Sequence, residues 1–85
     1  MKYLIGDIGN TLTKVSLLDK NLRIIKIINL ETKKINKINF MKIFFKNVLT
    51  KDMNKKILFS SVVPITYKKI KSYLQKKKYS VLEIK

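Results

Sequence analysis

One short segment near the start of this 85-residue chain restricts its fold more than any other feature. It reads Asp7-Ile8-Gly9-Asn10-Thr11-Leu12-Thr13-Lys14 and lies between two short apolar runs. Glycine and asparagine readily adopt the backbone conformations of tight turns. The segment therefore predicts a strand that ends at Asp7, a turn at Gly9-Asn10 and a second strand that leaves the turn.

A third strand is predicted to follow this hairpin. Lys14-Val15-Ser16-Leu17 alternates polar and apolar side chains, as a half-buried strand does. Asp19-Lys20-Asn21 supplies turn residues, and the run from Arg23 to Ile28 has high β propensity. We expect the first strand, Tyr3-Leu4-Ile5, and these two to form an antiparallel meander.

The periodicity then changes to that of a helix. Apolar residues recur at the spacing i, i+3, i+4, i+7, which predicts a helix from about Lys37 to Leu49. The residues of this stripe are Met41, Phe44, Phe45 and Val48. The cluster Phe40, Met41, Phe44 and Phe45 is interpreted as core, and Lys51-Asp52-Met53-Asn54 as the close of the helix.

The last part of the chain predicts two strands with a helix between them. Ile57-Leu58-Phe59 is a continuous apolar run, typical of a central parallel strand covered on both faces. Pro64 suits the first turn of a helix in which Tyr67, Ile70 and Leu74 share one face. Val81-Leu82-Glu83-Ile84 predicts a final strand. The predicted class is α/β, with a mixed sheet in the order β-β-β-α-β-α-β: one ribonuclease H-like unit spanning residues 1–85.

The residue types in the first hairpin suit the binding of nucleotide phosphates. Asp7 could position a hydrated Mg²⁺, while the turn amides, the Asn10 amide group and the hydroxyls of Thr11 and Thr13 could hold phosphate oxygens. The simpler alternative is a hairpin with a capping Asp, but it does not explain the acid before the turn and the hydroxyls after it. Lys14 either screens phosphate charge or faces solvent.

A second local signature, Ser60-Ser61-Val62-Val63-Pro64, follows the predicted central strand. The two hydroxyls either face a cleft or cap the turn into the next helix. Ligands of open α/β sheets bind near the carboxyl ends of strands, and both signatures fall at such ends.

Composition excludes several kinds of chemistry. The chain has no cysteine and no histidine, so disulfides, thiolate or imidazole metal sites and Ser-His-Asp catalysis are excluded. The net charge of +15 comes almost wholly from lysine, which is 19 of the 20 basic residues, and alanine is absent. This pattern is typical of an AT-rich genome; a real polyanion-binding surface is the alternative, and nothing indicates a specific nucleic-acid partner.

Without a signal peptide or a membrane-spanning run, we expect a cytoplasmic protein and no membrane partner.

The hairpin motif is similar to the first phosphate motif of the actin/Hsp70/sugar-kinase superfamily. The Asn10-Thr11 pair after Gly9, with Ser60-Ser61-Val62-Val63-Pro64 some fifty residues later, looks most like type III pantothenate kinase. The resemblance covers nearly all of this chain but only the N-terminal part, one of the two lobes, of that family.

The resemblance implies an activity and its ligands. The family transfers phosphate from ATP to the alcohol of pantothenate, the first step of coenzyme A synthesis, as a homodimer that uses Mg²⁺ and a monovalent cation (K⁺ or NH₄⁺). By this resemblance Asp7 would hold hydrated Mg²⁺. The residues that would contact or flank the ATP phosphates are Asp7, Ile8, Gly9, Asn10, Thr11, Leu12, Thr13 and Lys14.

The resemblance also shows what this sequence lacks. The family's catalytic Asp lies in a Gly-x-Asp-Arg segment that has no match here, where Arg23 is the only arginine. The cation-binding Asp, the adenosine-binding segment and the second lobe have no counterpart either. We therefore assign no catalytic residue and expect an N-terminal fragment that is inactive alone. The alternatives are a small Lys-rich polyanion-binding module and a degenerate remnant that binds no ligand.

Overall fold

A computed structural model describes residues 1–84 as one mixed sheet with helices packed against it. The strands are β1 (Lys2–Ile8), β2 (Leu12–Leu18), β3 (Ile24–Glu31), β4 (Met53–Ser61) and β5 (Ser80–Glu83). The helices are α1 (Thr32–Ile35), α2 (Ile38–Val48) and α3 (Pro64–Lys76). No helix within these residues is long and apolar enough to cross a membrane.

The sheet has the strand order β3-β2-β1-β4-β5. The first three strands form the predicted antiparallel meander, while β4 lies parallel to β1 and β5 lies parallel to β4. The predicted α/β class with a ribonuclease H-like mixed sheet is thus confirmed. This order brings the ends of β1 and β4 side by side in the middle of the sheet.

The core lies on one face of the sheet, beneath the helices. Alternate residues of each strand point to this face, so Leu4 and Ile8 of β1 are fully buried together with Ile57 and Phe59 of β4. The helices contribute the apolar stripes foreseen in the sequence, with Met41, Phe45 and Val48 from α2 and Tyr67, Ile70 and Leu74 from α3. Burial of these stripes explains why two rather short helices are stable here.

The packing of the central strands depends on a glycine. Gly6 pairs with Phe59 across the parallel strands, and a Cβ atom at Gly6 would lie 2.0 Å from Cε1 of the Phe59 ring. The ring occupies the space that any side chain would need, and it also packs edge-on against Tyr67, with 6.5 Å between the ring centres. Gly6 therefore serves close packing and is not part of a turn.

Four details differ from the sequence-based predictions. The one-turn helix α1 was not predicted, and Met53 and Asn54 begin β4 instead of closing α2. Phe40 is 38% exposed, because it lies about 100° around the helix from the Met41 stripe. Strand β4 is not covered on both faces, since Leu58 points to the face that no helix covers and is only half-buried.

Candidate phosphate-binding site

The turn between β1 and β2 is tight and depends on Gly9. The Gly9 N–H donates a 2.9 Å hydrogen bond to the Leu12 carbonyl, which closes the turn. A Cβ atom at Gly9 would lie 2.8 Å from that same carbonyl oxygen, a backbone atom that cannot simply rotate away. A glycine is therefore needed here for close approach of the backbone.

Three polar side chains lie in one row on the open face of the sheet, beside this turn. Asp7 pairs with Lys14 across the antiparallel strands and with Ser60 across the parallel strands. Residues directly opposite each other in a sheet point to the same side, so all three belong to one surface. Asp7 and Lys14 are exposed, and within residues 1–84 the Asp7 carboxylate makes no hydrogen bond or ion pair.

The turn itself presents uncommitted backbone donors. Asn10 and Thr11 are exposed, and among the described residues their N–H groups donate no hydrogen bond. Adjacent backbone N–H groups at a turn attract anions, and phosphate oxygens are suitable acceptors for them. Donors and a free carboxylate therefore lie within a few residues of each other at one edge of the sheet.

Two of the predicted contact residues face the core. Ile8 and Thr13 pair with each other across the hairpin and are both fully buried. The Thr13 hydroxyl lies 2.8 Å from the Thr32 hydroxyl and is therefore directed away from the exposed turn. Leu12, by contrast, is 55% exposed and lies on the open face beside Glu31.

Thr32, at the start of α1, fastens the hairpin from below. Its hydroxyl donates a 2.7 Å hydrogen bond to the Gly9 carbonyl, and its N–H donates a 2.9 Å bond to the Thr11 carbonyl. A hydroxyl has one proton, so the shared bond with Thr13 must be donated by Thr13. Sequence reasoning missed Thr32, since the only signal was a lone threonine after a strand.

The carboxylate of the neighbouring acid, Glu31, already forms ion pairs with two lysines. Its carboxylate lies 3.3 Å from the Lys33 ammonium and 3.5 Å from that of Lys34. The hydrogen bond and the charge of Lys33, followed by the charge of Lys34, lower the pKa of Glu31. Asp7 is therefore the acid available at this edge for a cation.

The structure separates the roles of the two serines after β4. The Ser61 hydroxyl accepts a 3.0 Å hydrogen bond from the Val63 N–H and donates to the Val63 carbonyl, which shapes the turn into α3. Ser60 points to the open face next to Asp7, and its hydroxyl makes no hydrogen bond within residues 1–84. Ser61 is thus structural, whereas Ser60 belongs to the polar row.

The donor set suits a metal ion that retains most of its water. Within the described residues no three acidic side chains gather into a metal-binding cluster. Mg²⁺ commonly keeps several waters and takes only one or two carboxylates, with phosphate oxygens completing its shell. Asp7 is compatible with binding of this kind. A single carboxylate is too few for a metal site built wholly from protein ligands.

Comparisons with known proteins agree on one family and one fold. A family model for type III pantothenate kinase matches residues 3–85. The type III pantothenate kinase of Pelagibacter ubique (strain HTCC1062) is 42% identical over 74 residues, which cover 86% of this chain and 29% of that protein. The chain thus spans less than a third of the length of this curated relative.

A solved structure has a similar fold. It is the activator of the 2-hydroxyisocaproyl-CoA dehydratase from Clostridium difficile with bound ADPNP, with a TM-score of 0.52 and 17% identity. The match covers 98% of this chain and 29% of that protein. At this identity the similarity supports the fold alone.

Proposed function

Because this chain belongs to the type III pantothenate kinase family, we propose that it forms the part of the kinase that holds the phosphates of ATP. The observation that carries the proposal is the free Asp7 carboxylate beside the uncommitted N–H groups of Asn10 and Thr11. The ATP analogue named with the fold neighbour is in keeping with it.

The residues of the hairpin have distinct roles in this proposal. The N–H groups of Asn10 and Thr11 donate to phosphate oxygens, and the Asn10 and Thr11 side chains add further donors. Asp7 would hold a hydrated Mg²⁺, and the ion, when bound, would supply charge neutralisation at the phosphates. Lys14 and Ser60 flank Asp7 and limit where the phosphates can lie.

Two residues in the motif act indirectly. Ile8 fixes the end of β1 through the core, and Thr13 holds Thr32 in place under the turn. The sequence predicts Thr13 to hold a phosphate oxygen; its burial against Thr32 gives it a positioning role in this proposal instead. The proposed contact and flanking set is Asp7, Gly9, Asn10, Thr11, Leu12 and Lys14, with Ser60 added.

Phosphoryl transfer to pantothenate requires groups that this chain does not contain. A general base must lie within hydrogen-bond reach of the hydroxyl that attacks, and no Gly-x-Asp-Arg segment is present in the sequence. We therefore propose that the chain is inactive alone. Pantothenate, the monovalent cation, dimerisation and a cytoplasmic location belong to this proposal as properties of the parent kinase.

The test is a titration of the 85-residue chain with Mg-ATP, followed by NMR of its backbone amides. We expect the signals of Asn10 and Thr11 to shift most, and tripolyphosphate to shift them as far as ATP does, because no adenosine-binding segment is present. The Asp7→Asn variant should bind ATP more weakly than the native chain when Mg²⁺ is present. Asp19→Asn, which removes an equal charge at the opposite end of β2, is the matched control.

The sign of the Asp7→Asn effect separates specific from general binding. On a chain of net charge +15, general attraction of an anion becomes stronger when a carboxylate is removed. Stronger ATP binding by Asp7→Asn would therefore refute the magnesium role and favour a remnant without a specific ligand. Formation of phosphopantothenate by the native chain alone would refute the proposed inactivity.

A further inference from the structure

The charge of this protein is concentrated in the part of the chain that follows the meander. Residues 32–84 contain 14 of the 19 lysines, eight of them in the three helices, and two of the five acids, Asp52 and Glu83. Neither α2 nor α3 contains an acidic residue, and neither has one in its first turn, where the helix dipole favours it. The strands and turns of residues 1–31 are nearly balanced in charge by comparison.

A groove between α2 and α3 collects many of these lysines. Its volume is about 1120 Å³, and seven lysines and no acid line it. Lys42 and Lys46 of α2 lie on one side, and Lys68 and Lys76 of α3 lie on the other. All four are exposed.

The floor of the groove is apolar. Phe45, Leu49, Tyr73 and Tyr79 line it, and all four are buried or half-buried. Ile43 also lines the groove and is 63% exposed, so apolar surface remains open to solvent between the lysine rows. The groove therefore combines an apolar centre with two basic margins.

The lysines of the groove have no acidic partner within the described residues. Both ion pairs within residues 1–84 use Glu31, which lies outside the groove at the end of β3. Lys42 and Lys46 are four residues apart on one helix, a spacing at which like charges repel. An AT-rich genome accounts for abundant lysine, and the absence of acids from both helices leaves that charge unbalanced along the groove.

We propose that this groove binds an acidic amphipathic helix of a partner protein. The apolar side of such a helix would cover the floor, and its carboxylates would meet the lysines on both margins. The groove is lined by α3 from Lys68 to Lys76 and by α2 from Ile38 to Lys46, which at a rise of 1.5 Å per residue is about 13 Å on each side, enough for two to three turns of a bound helix.

The shape and the floor favour this occupant over other anions. A single-stranded nucleic acid could stack its bases on Tyr73 and Tyr79, but Lys77 and Lys55 already lie over those two rings. It would also leave the aliphatic residues Ile38, Ile43 and Leu49 of the groove without a partner. A membrane surface is flat on this scale and would not reach a floor that lies between two helices. The amphipathic helix is the partner that satisfies both the charge and the apolar surface.

The test uses fluorescence anisotropy with a labelled helical peptide of about 18 residues, in about 150 mM salt. The peptide carries leucines at i, i+3, i+4 and i+7, glutamates on the two flanks of this stripe, and alanine and glutamine elsewhere so that it forms a helix. Its control has the same composition scrambled so that no stripe remains. We expect the amphipathic peptide to bind at least about tenfold more tightly than the scrambled one.

Variants locate the binding surface. Lys42→Glu/Lys68→Glu should weaken binding about tenfold or more, and Ile43→Ser should weaken it severalfold. Lys20→Glu/Lys26→Glu changes the charge equally outside the groove and should leave binding within about twofold of native. Circular dichroism checks that each variant is folded.

Three results would overturn the proposal. One is equal binding of the scrambled peptide, which would show that the lysines attract any acidic peptide and that the apolar floor does not contribute. Another is tighter binding of a single-stranded DNA 20-mer or of anionic phosphatidylglycerol vesicles. The third is equal weakening by the two lysine pairs. None of these results bears on the proposed phosphate site, which lies at the turn between β1 and β2.

Discussion

Replacement of Thr32 by valine should destabilise this protein strongly, although it changes one small side chain. The hydroxyl of Thr32 accepts a hydrogen bond from Thr13 and donates one to the Gly9 carbonyl. Thr32 is 4% exposed and Thr13 is fully buried, so water cannot replace the bond between their hydroxyls, whereas the bond to the Gly9 carbonyl is part-buried. Valine keeps the shape but leaves the Thr13 hydroxyl without an acceptor and removes the hydroxyl that holds the Gly9 carbonyl.

The expected cost follows from these contacts. Each lost hydrogen bond contributes about 1 kcal/mol net, and a buried group left without a partner costs about 1–3 kcal/mol. We expect Thr32→Val to lower the free energy of unfolding by about 2–4 kcal/mol. A domain of this length has about 4–13 kcal/mol in total, so the loss is a large share.

Urea denaturation of four variants measures the effect. Thr13→Val should cost only about 1 kcal/mol, because Thr32 can still donate to Gly9. Thr32→Ser, which keeps the hydroxyl, should recover most of the stability lost in Thr32→Val. The double variant Thr13→Val/Thr32→Val should cost less than the sum of the single variants by about 1 kcal/mol.

Additive costs for Thr13→Val and Thr32→Val would refute this reasoning, as would a loss below about 0.5 kcal/mol for Thr32→Val. A second measurement separates positioning from stability. At a temperature where the variant is fully folded, Thr32→Val should still bind tripolyphosphate more weakly than Thr32→Ser does, because the Gly9 carbonyl in the turn loses the hydroxyl that holds it.

Three further predictions concern packing and pH. Gly6→Ala should cost about 3 kcal/mol or more, because its Cβ atom would overlap the Phe59 ring, and a second change of Phe59→Leu should restore part of the loss in thermal unfolding. Gly9→Ala should cost about 1–3 kcal/mol through its contact with the Leu12 carbonyl and should also weaken tripolyphosphate binding in the NMR titration. Burial, and secondly the charge of Glu83, raise the pKa of Tyr67, so the folded state holds the phenol proton more tightly than the unfolded state does. The free energy of unfolding should therefore fall as the pH rises above about 10. Tyr67→Phe should reduce that fall in urea titrations at high pH.

The hydrophobic periods predicted most of the fold. The stripe of Met41, Phe45 and Val48 fixed the helix α2 to within a residue or two at each end. Tyr67, Ile70 and Leu74 did the same for the buried face of α3. These predictions succeeded because burial on one face repeats along a segment, and a repeated signal can be read without knowledge of distant parts of the chain.

The direction of single side chains in the hairpin could not be predicted in this way. A change of one residue in the pairing register moves every side chain of a strand to the other face. The geometry of the turn at Gly9 sets that register, so Thr13 faces Ile8 in the core while Lys14 faces Asp7 on the surface. The sequence indicated the candidate site but left open which hydroxyls face it.

Two other features also depend on distant parts of the chain. They are the uncovered face of β4 and the role of Thr32. Whether Leu58 is covered depends on what packs against the open face, which a run of apolar letters cannot specify. Thr32 acts through contacts with residues some twenty positions earlier. Contacts of this kind leave no periodic mark, and a structure is needed to find them.

The strand order carries a consequence for how the protein folds. The meander β1–β2–β3 joins strands that are neighbours in the chain, so it can form soon after residue 31 leaves the ribosome. The pairing of β1 with β4 joins Gly6 to Phe59, more than fifty residues away, and must wait for that loop to close. We expect this closure to limit the folding rate. The hairpin of β1 and β2, with its candidate phosphate site, then belongs to the half that folds first and is held firmly only after the slow half has docked.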